Sequence, residues 1–260
     1  LPICPAIPMC ICLFYLKCRL SAQQRYKHTK LMKNSYFWGK NTHDMLNIDI
    51  LTFNLFEEKT YIVSQGNGYC VIVDPGCSNE AERQALIKAL TDKSLTPTAV
   101  LLTHGHLDHV YGAAFIQKTY RDIPVYLNPA DIKVMELTGA MAQKFHMEAP
   151  EIGFKTTDIH DTDTLSAAGI SFNVIATPGH TPGGVCYYIR DEGVLFSGDT
   201  LFAGAIGRTD LGYGEYDDEI RSIMEKIILL DPSVKVYPGH GPATTIGDER
   251  TGNPFLEPFN

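Results

Sequence analysis

The chain has 260 residues, of which 44% are apolar and 20% charged, and a formal net charge of −8. This length fits one large or two small domains, and the apolar content suffices for a buried core. The charge is uneven, because residues 1–44 contain seven Lys and Arg against the single acid Asp44, which leaves −14 for the remainder. So acidic a body, without a run of basic residues, does not favour nucleic-acid binding.

The cysteines are also unevenly spread. Four of the seven lie within the first 18 residues, and only Cys70, Cys77 and Cys186 lie in the body. Three scattered cysteines do not make a disulfide framework, so we expect a reducing compartment and a cytoplasmic location.

The first 44 residues do not resemble part of a fold. Their apolar run, Ile11–Leu16, is too short to span a bilayer, and basic residues follow it instead of preceding it as in a signal peptide. Strand-like alternation begins after Met45. We therefore predict that residues 1–44 are a disordered leader or an over-extended reading frame, and that residues 45–260 form one domain that makes no membrane contact.

The body begins with strand signals. Alternation predicts a strand within Ile48–Phe56, and β-branched and aromatic residues predict strands at Tyr61–Val63 and Tyr69–Val73. Asn79 followed by Glu82 is a capping box that predicts the start of a helix. The next predicted elements are a buried strand at Ala99–Leu102, a helix near Val110 and a strand at Val125–Leu127.

The second half repeats this order. Residues 138–165 are polar and irregular, which predicts a surface excursion. The elements predicted after it are a strand at Ile170–Ala176, a hairpin of Val185–Arg190 and Val194–Ser197, a helix at Glu215–Leu230 and a strand at Val234–Tyr237. Strands and helices in this order predict two packed sheets with helices outside, an α/β architecture.

Chemically suggestive residues follow the predicted strands in glycine-containing loops. The stretch THGHLDH follows the strand at Ala99–Leu102, and PGH occurs twice, each time after a strand. The candidates are His104, His106, Asp108, His109, His180, Asp199 and His240. Imidazole and carboxylate ligands suit Zn, and also Fe or Mn. Seven ligands exceed the four of a structural zinc site and fit two divalent metals with positions open for water or substrate.

These motifs carry a family resemblance. THGHLDH, followed in order by TPGHTPG, SGDT and YPGHGP, resembles the metallo-β-lactamase fold over about residues 46–257. The resemblance implies a four-layer αβ/βα sandwich with its metal site at one edge. Within the superfamily, LFSGDTLFAGAIGRTD and GHGPATTIGDERTGNPF are most similar to the short hydroxyacylglutathione hydrolase (glyoxalase II-like) group.

The resemblance also assigns roles to the candidate ligands. It implies that the first metal is held by His104, His106 and His180, the second by Asp108, His109 and His240, and that Asp199 bridges them. Asp74, in the stretch VDPG, is implied to support the site from behind the ligands.

Two departures bear on the substrate. β-Lactamases of the best-known subclass place a Cys on the second metal and lack the His after the motif Asp, whereas this chain has Asp199 and His109. We therefore do not expect β-lactam hydrolysis. Full-length glyoxalase II enzymes have a C-terminal helical extension that helps to hold glutathione, whereas this sequence ends about 20 residues after His240. The family's glutathione-binding residues therefore cannot be carried over.

The resemblance implies hydrolysis of a small-molecule thioester, such as a hydroxyacylglutathione, by a metal-bound hydroxide. Asp108 is also expected to orient this hydroxide or to take its proton. A thiolate with a pKa of about 8.5 leaves without a strong general acid, which favours a thioester over an amide. Arg208 is a candidate substrate contact, although an ion pair with Asp210 is the favoured interpretation, and Tyr213 and Lys144 are further candidates.

Three alternatives stay open. A persulfide dioxygenase of the same fold would use a single iron, and a lactonase would share the two-metal site. The third is a non-enzymatic, metal-dependent binding module, which would not need open coordination positions. The sequence does not predict the oligomeric state.

Overall fold

The computed structural model describes residues 45–121 and 123–257. Our prediction of a disordered leader or over-extended reading frame at residues 1–44 lies outside these residues. Within the two described ranges, no helix combines the length and the apolar character that crossing a membrane requires.

The N-terminal half of the described chain forms a six-stranded sheet, in which strands that follow one another in sequence are neighbours. The strands are β1 (Asn47–Phe53), β2 (Glu58–Ser64), β3 (Tyr69–Val73), β4 (Thr96–Leu101), β5 (Val125–Leu127) and β6 (Thr156–Asp158). The first three pair antiparallel, whereas β3 to β6 pair in parallel. Because β3 and β4 run in the same direction, the loops that follow them leave from the same edge of the sheet.

Helices follow several of these strands. They are α1 (Glu80–Asp92), α2 (Leu107–Val110), α3 (Ala113–Thr119), α4 (Ile132–Glu136) and α5 (Thr138–Lys144), with a 3-10 turn at Pro129–Asp131. The predicted cap of α1 is confirmed, because the Asn79 side chain accepts a hydrogen bond from the Glu82 N–H. Leu86 of α1 and Ile116 of α3 share a buried cluster with Ile72 of the sheet, so α1 and α3 cover one sheet face.

The C-terminal half forms a second six-stranded sheet in the order β14-β13-β10-β9-β8-β7, within the described residues. Its strands are β7 (Thr164–Ala167), β8 (Ile170–Ala176), β9 (Val185–Ile189), β10 (Val194–Gly198), β13 (Lys235–Pro238) and β14 (Thr244–Thr245). A separate small hairpin joins β11 (Leu201–Phe202) to β12 (Ala205–Ile206). The helices are α6 (Tyr216–Ser222), which continues as a π-helical segment at Ile223–Ile227, and α7 (Ile246–Gly252), with a 3-10 turn at Arg190–Glu192.

The two sheets face each other across the main core. Tyr61 and Val71 of the first sheet are buried in one cluster with Phe172, Tyr187 and Phe196 of the second. The other face of the second sheet packs against α6 and the π-helical segment after it. The order of layers is therefore helix, sheet, sheet, helix, and the predicted four-layer αβ/βα sandwich is confirmed.

Some local predictions were wrong. Residues 138–165, predicted as an irregular excursion, contain α5, β6 and the first two residues of β7. The sequences of these strands, TTD and TLSA, have no strong apolar alternation, because both strands pair at sheet edges and are largely exposed or half-buried. The first strand ends at Phe53 instead of Phe56, since Asn54 turns the chain with a φ of 53°.

Candidate metal centre

The seven candidate ligands lie at strand ends and meet in one cleft. His104 and His106 follow β4, Asp108 and His109 form the start of α2, and His180, Asp199 and His240 follow β8, β10 and β13. They form two groups whose ligand atoms lie within 4.8 Å of one another: His104, His106, His180 and Asp199 in the first group, and Asp108, His109 and His240 in the second.

Three ring nitrogens converge in the first group. Nδ1 of His106 lies 2.9 Å from Nε2 of His104 and 2.9 Å from Nε2 of His180. Oδ2 of Asp199 lies 3.5 Å from Nε2 of His180 and 4.0 Å from Nε2 of His104. The four atoms thus surround a common point.

The second group is built around Asp108. Its Oδ2 lies 3.2 Å from Nε2 of His240 and 3.7 Å from Nε2 of His109. The Asp199 carboxylate also reaches this group, with Oδ1 at 3.4 Å from His109 Nε2 and Oδ2 at 3.5 Å from His240 Nε2. One carboxylate therefore stands between the two groups.

These distances fit metal binding. A tetrahedral ion with metal–nitrogen bonds of about 2.0–2.1 Å separates its ligand atoms by about 3.3 Å. The ligand atoms here are separated by 2.9 to 4.0 Å. In addition, His109 Nε2 and Asp199 Oδ1 are buried atoms without a hydrogen-bond partner. Buried polar atoms without partners are unfavourable, and a bound cation would satisfy both. The residues present therefore fit two metal ions.

In His180 and in His240, a hydrogen bond made by one ring nitrogen leaves the other ring nitrogen free to bind a cation. Nδ1 of His180 lies 2.7 Å from the carbonyl oxygen of Arg208, and Nδ1 of His240 lies 2.9 Å from that of Phe56. A carbonyl oxygen only accepts hydrogen bonds, so each Nδ1 is protonated and donates. In the neutral ring, the inward Nε2 then has a free lone pair.

His109 and His104 are oriented through Asp74. Nδ1 of His109 lies 3.0 Å from Oδ2 of Asp74. The Thr103 hydroxyl donates to the same oxygen at 2.6 Å and lies 3.0 Å from Nδ1 of His104, from which it can accept. Asp74 itself has a φ of 46°, a conformation that costs energy in a residue other than glycine and is typical of functional sites. The structure thus places Asp74 behind two histidines, outside both groups.

His106 uses the opposite arrangement. Its Nε2 lies 2.6 Å from the Tyr213 hydroxyl, which leaves Nδ1 to face the first group. All five histidines therefore have their second nitrogen engaged outside the centre. This arrangement fixes the tautomer and the ring orientation of metal-binding histidines.

The electrostatics of the cleft keep two of these rings neutral. Burial, followed by the neighbouring histidines, lowers the pKa of His106 to about 3 and that of His104 well below its usual value. For His109, burial also lowers the pKa, but the carboxylates of Asp199, Asp108 and Asp74 outweigh burial and raise it well above its usual value. The acidic groups thus create a negative potential that favours a bound cation.

Comparison with known proteins identifies the family. The family model described as the metallo-beta-lactamase superfamily matches residues 56–240. The chain belongs to the metallo-β-lactamase superfamily. It is a metallo-hydrolase superfamily member with a His and Asp site, as the sequence motifs predicted.

Three relatives of this superfamily member are informative. Hydroxyacylglutathione hydrolase GloC of Haemophilus influenzae is 36% identical over 215 residues, covering 81% of this chain and 98% of that protein. The crystal structure of the BLEG-1 B3 metallo-beta-lactamase matches with a TM-score of 0.75 and 35% identity, over 81% of this chain and 99% of that chain. TTHA1623, solved in a di-iron-bound form, matches with a TM-score of 0.71 and 35% identity, over 80% and 100%.

Sequence reasoning missed Asp131, which lies between the histidine loops of this metallo-β-lactamase superfamily member. Its Oδ2 accepts hydrogen bonds from the Gly105 N–H at 2.7 Å and the Thr181 hydroxyl at 2.8 Å. Its Oδ1 accepts from the Gly183 N–H at 2.5 Å. One buried carboxylate thus joins the loop of His104 and His106 to the loop after His180. The stretch NPAD contains no signal that predicts this role.

Glu219 of α6 was also missed. Its Oε2 accepts a hydrogen bond from the His180 N–H at 2.8 Å, and burial raises its pKa to about 8. Close packing explains the preceding glycine, because a Cβ atom at Gly179 would lie 2.3 Å from Cα of Glu219. In the second PGH motif, a Cβ at Gly239 would lie 2.2 Å from Oδ1 of Asp199. Both PGH motifs therefore need glycine for close approach.

The candidate substrate contacts occupy different positions. Arg208 lines the cleft but forms a bidentate ion pair with Asp210, at 2.7 and 2.9 Å. Tyr213 contacts His106, and burial raises the pKa of its hydroxyl to about 12. Lys144 and Tyr213 both line an adjoining hollow. Their contact with substrate stays a prediction.

Proposed function

We propose that this chain is a two-metal hydrolase that cleaves small-molecule thioesters. The observation that carries the proposal is the set of five histidines, each engaged outside the centre and presenting its other nitrogen inward, around a shared Asp199. A binding module without turnover would not need so many ligands, each oriented by a hydrogen bond outside the centre. The 36% identity to GloC, over 98% of its length, supports thioester substrates.

In this proposal, His104, His106 and His180 would hold one ion, Asp108, His109 and His240 would hold the other, and Asp199 would be a ligand shared by the two groups. Two divalent ions at these positions would lower the pKa of a water molecule and polarise a substrate carbonyl group. We propose zinc, and the di-iron form of TTHA1623 makes iron the alternative to test. Direct metal analysis of the purified protein distinguishes them.

In this proposal, Asp108 orients the attacking water. Its carboxylate lines the cleft. Burial by itself raises the pKa of Asp108. The charge of His109 and the hydrogen bond with His240 together outweigh burial, so the pKa lies below its usual value. The charged carboxylate can therefore accept a hydrogen bond from the water that attacks the carbonyl carbon, and it can direct a lone pair of that water toward the carbon.

The leaving group decides between thioester and amide. Among the residues described, the cleft is lined by the ligands, by Arg208 and by apolar side chains, with no further acid. An amine must receive a proton as it leaves, whereas a thiolate with a pKa of about 8.5 leaves as the anion. This favours a thioester. The apolar lining also favours a small molecule over a nucleic acid. A cytoplasmic location is part of the proposal, because Cys70, Cys77 and Cys186 are free and buried.

The test combines metal content with thiol release. The protein, purified with its metals retained, is assayed for free thiol from S-lactoylglutathione, and metals per chain are counted. Thiol release with about two metals per chain is the expected result. One iron per chain, with oxygen uptake on a persulfide, would instead identify a dioxygenase. Parallel assays with a lactone and a cephalosporin cover the lactonase alternative and the similarity to BLEG-1.

A further inference from the structure

The cleft beside the two ligand groups has two unlike sides. It has a volume of about 440 Å³ and is lined by five of the seven candidate ligands, Arg208 and eight apolar side chains. We use the name apolar wall for six of these side chains: Phe56, Leu107, Met141, Phe145, Phe202 and Leu211. A substrate whose carbonyl group lies at the ligands can place its apolar atoms against this wall.

The wall is anchored to the metal centre at one residue. The Phe56 carbonyl accepts the hydrogen bond from His240 Nδ1 at 2.9 Å, and the Phe56 ring meets the Phe145 ring edge-on, with centroids 5.0 Å apart. Leu107 directly precedes Asp108, and Phe56 and Met141 pack against the buried cluster that contains Leu107. The apolar surface therefore begins beside the ligands and extends outward to α5.

The outer part of the wall faces solvent. The Phe145 side chain, four residues after Met141, is 47% exposed, and so is Leu137 in the adjoining hollow. Apolar side chains grouped at the mouth of a cleft are typical of ligand-binding surfaces. An apolar chain lying on these side chains would remove apolar surface from water on both the chain and the protein.

The lining offers no unpaired positive charge among the described residues. Arg208 is its one cationic side chain other than histidine, and both of its hydrogen-bonded nitrogens contact the Asp210 carboxylate. The Arg208 side chain is 63% exposed, and its guanidinium group is already paired with the Asp210 carboxylate. The wall itself therefore has little to attract a carboxylate or to satisfy a hydroxyl group of the acyl chain.

We propose that the preferred substrates are thioesters whose acyl group is an apolar chain longer than acetyl, and that the apolar wall binds this chain. This inference rests on the proposed thioesterase function and changes its acyl specificity from hydroxyacyl to alkyl acyl. Each methylene placed on the wall should raise kcat/KM about fourfold, which is 0.8 kcal/mol converted at 1.36 kcal/mol per tenfold.

The experiment holds the thiol constant and varies the acyl group. Metal-loaded full-length protein is assayed for thiol release from S-acetyl-, S-butanoyl- and S-hexanoylglutathione. Each kcat/KM is divided by the rate constant of that thioester with hydroxide, which removes differences in intrinsic reactivity. From acetyl to butanoyl, and again from butanoyl to hexanoyl, we expect a rise of about 15-fold for two methylenes. S-propanoyl- and S-lactoylglutathione, which differ by one hydroxyl group, form a matched pair in which propanoyl should be the better substrate.

Substitution of the wall tests where the chain binds. In Met141→Gln, an amide replaces the thioether at similar size, and the two-methylene ratio should fall from about 15-fold to about fivefold or less. The same replacement in a different apolar cluster, Met224→Gln, is the control and should retain the ratio. Phe145→Ser, at a half-exposed position, is a second wall variant if Met141→Gln fails to fold.

The outcomes separate the two proposals. Thiol release that is flat or falls with chain length, or that is faster with lactoyl than with propanoyl, would overturn this inference and leave the thioesterase function standing. An unchanged ratio in both wall variants would also overturn it. No thiol release from any of the thioesters, by protein with two metals per chain, would overturn the proposed function and the inference with it.

Discussion

The two sides of the cleft are held in place by different forces. On the ligand side, each of the five histidines has a hydrogen bond to a group outside the centre, and Asp131 and Glu219 hold the loops from behind. On the other side, the apolar wall is held by packing, and Phe145 is 47% exposed. We expect the chemistry to depend on these directional contacts, and the choice of substrate to depend on a surface held mainly by packing. Substitutions on the two sides should therefore have separable effects.

The largest effect is expected from Asp199→Ala, which removes the carboxylate between the two groups. Loss of metal removes several kcal/mol of transition-state stabilisation, so thiol release should fall by roughly 10³-fold or more. Metal content, measured on the same samples, should also fall. The matched control is Asp191→Ala, at an exposed turn, which should leave both quantities unchanged. Substantial activity in Asp199→Ala would contradict the shared-ligand role.

Asp131→Ala tests how much the hydrogen bonds behind the candidate ligands contribute to metal affinity and to stability. The change leaves the N–H groups of Gly105 and Gly183 without their acceptor. We expect a loss of about 10–100-fold in metal affinity and of about 1–3 kcal/mol in the free energy of unfolding. Competition with a chelator measures the affinity, and urea denaturation measures the stability. Asp231→Ala removes hydrogen bonds from Ser233 in an exposed turn and serves as the control.

Tyr213→Phe removes one hydroxyl group and retains the ring. Because this hydroxyl lies 2.6 Å from His106 Nε2, its loss should weaken metal binding by about tenfold, at the lower end of such effects. Tyr216→Phe, at an exposed position near the start of α6, provides the comparison and should not alter metal affinity. Equal affinities in both variants would show that His106 does not depend on this contact.

Substitution of the wall should have a smaller effect on stability and none on metal binding. In Phe145→Ala, about half of the ring is already in water, so the free energy of unfolding should fall by about 1 kcal/mol. The number of metals per chain should stay at the wild-type value. Reduced metal content in this variant would mean that the two sides of the cleft are coupled.

A pH titration of stability gives the finest comparison. Burial raises the pKa of Asp131 above its usual value, in spite of its hydrogen bonds. Between the unfolded and folded pKa values, the folded chain holds a proton that the unfolded chain has lost, so this group's contribution to stability falls as pH rises. The free energy of unfolding of metal-free wild type, relative to metal-free Asp131→Asn, should therefore decrease as pH rises from about 4. An increase over this range would show that the carboxylate is stabilised in its charged form.

Local patterns predicted much of the fold. The bounds of Tyr69–Val73, Val125–Leu127 and Ile170–Ala176 agree with the strands of the structure, because these are central or apolar strands with a clear signal. The edge strands β6 and β7 and the helix α5 were missed, since short, half-exposed elements are stabilised by their neighbours more than by their own sequence. The helix predicted at Glu215–Leu230 was correct in position, but its second half is a π-helical segment.

The candidate ligands and the family could be predicted from the sequence, because His and Asp at strand ends form short recognisable motifs. Which of their atoms meet depends on the tertiary structure. His106 and His180 are 74 residues apart in sequence, and Asp131 and Gly183 are 52 residues apart, yet both pairs are in hydrogen-bonding range. The free nitrogen of each ring depends on acceptors such as the Phe56 carbonyl, which no side-chain pattern encodes. The apolar wall likewise exists because packing brings α5 beside the turn after β1.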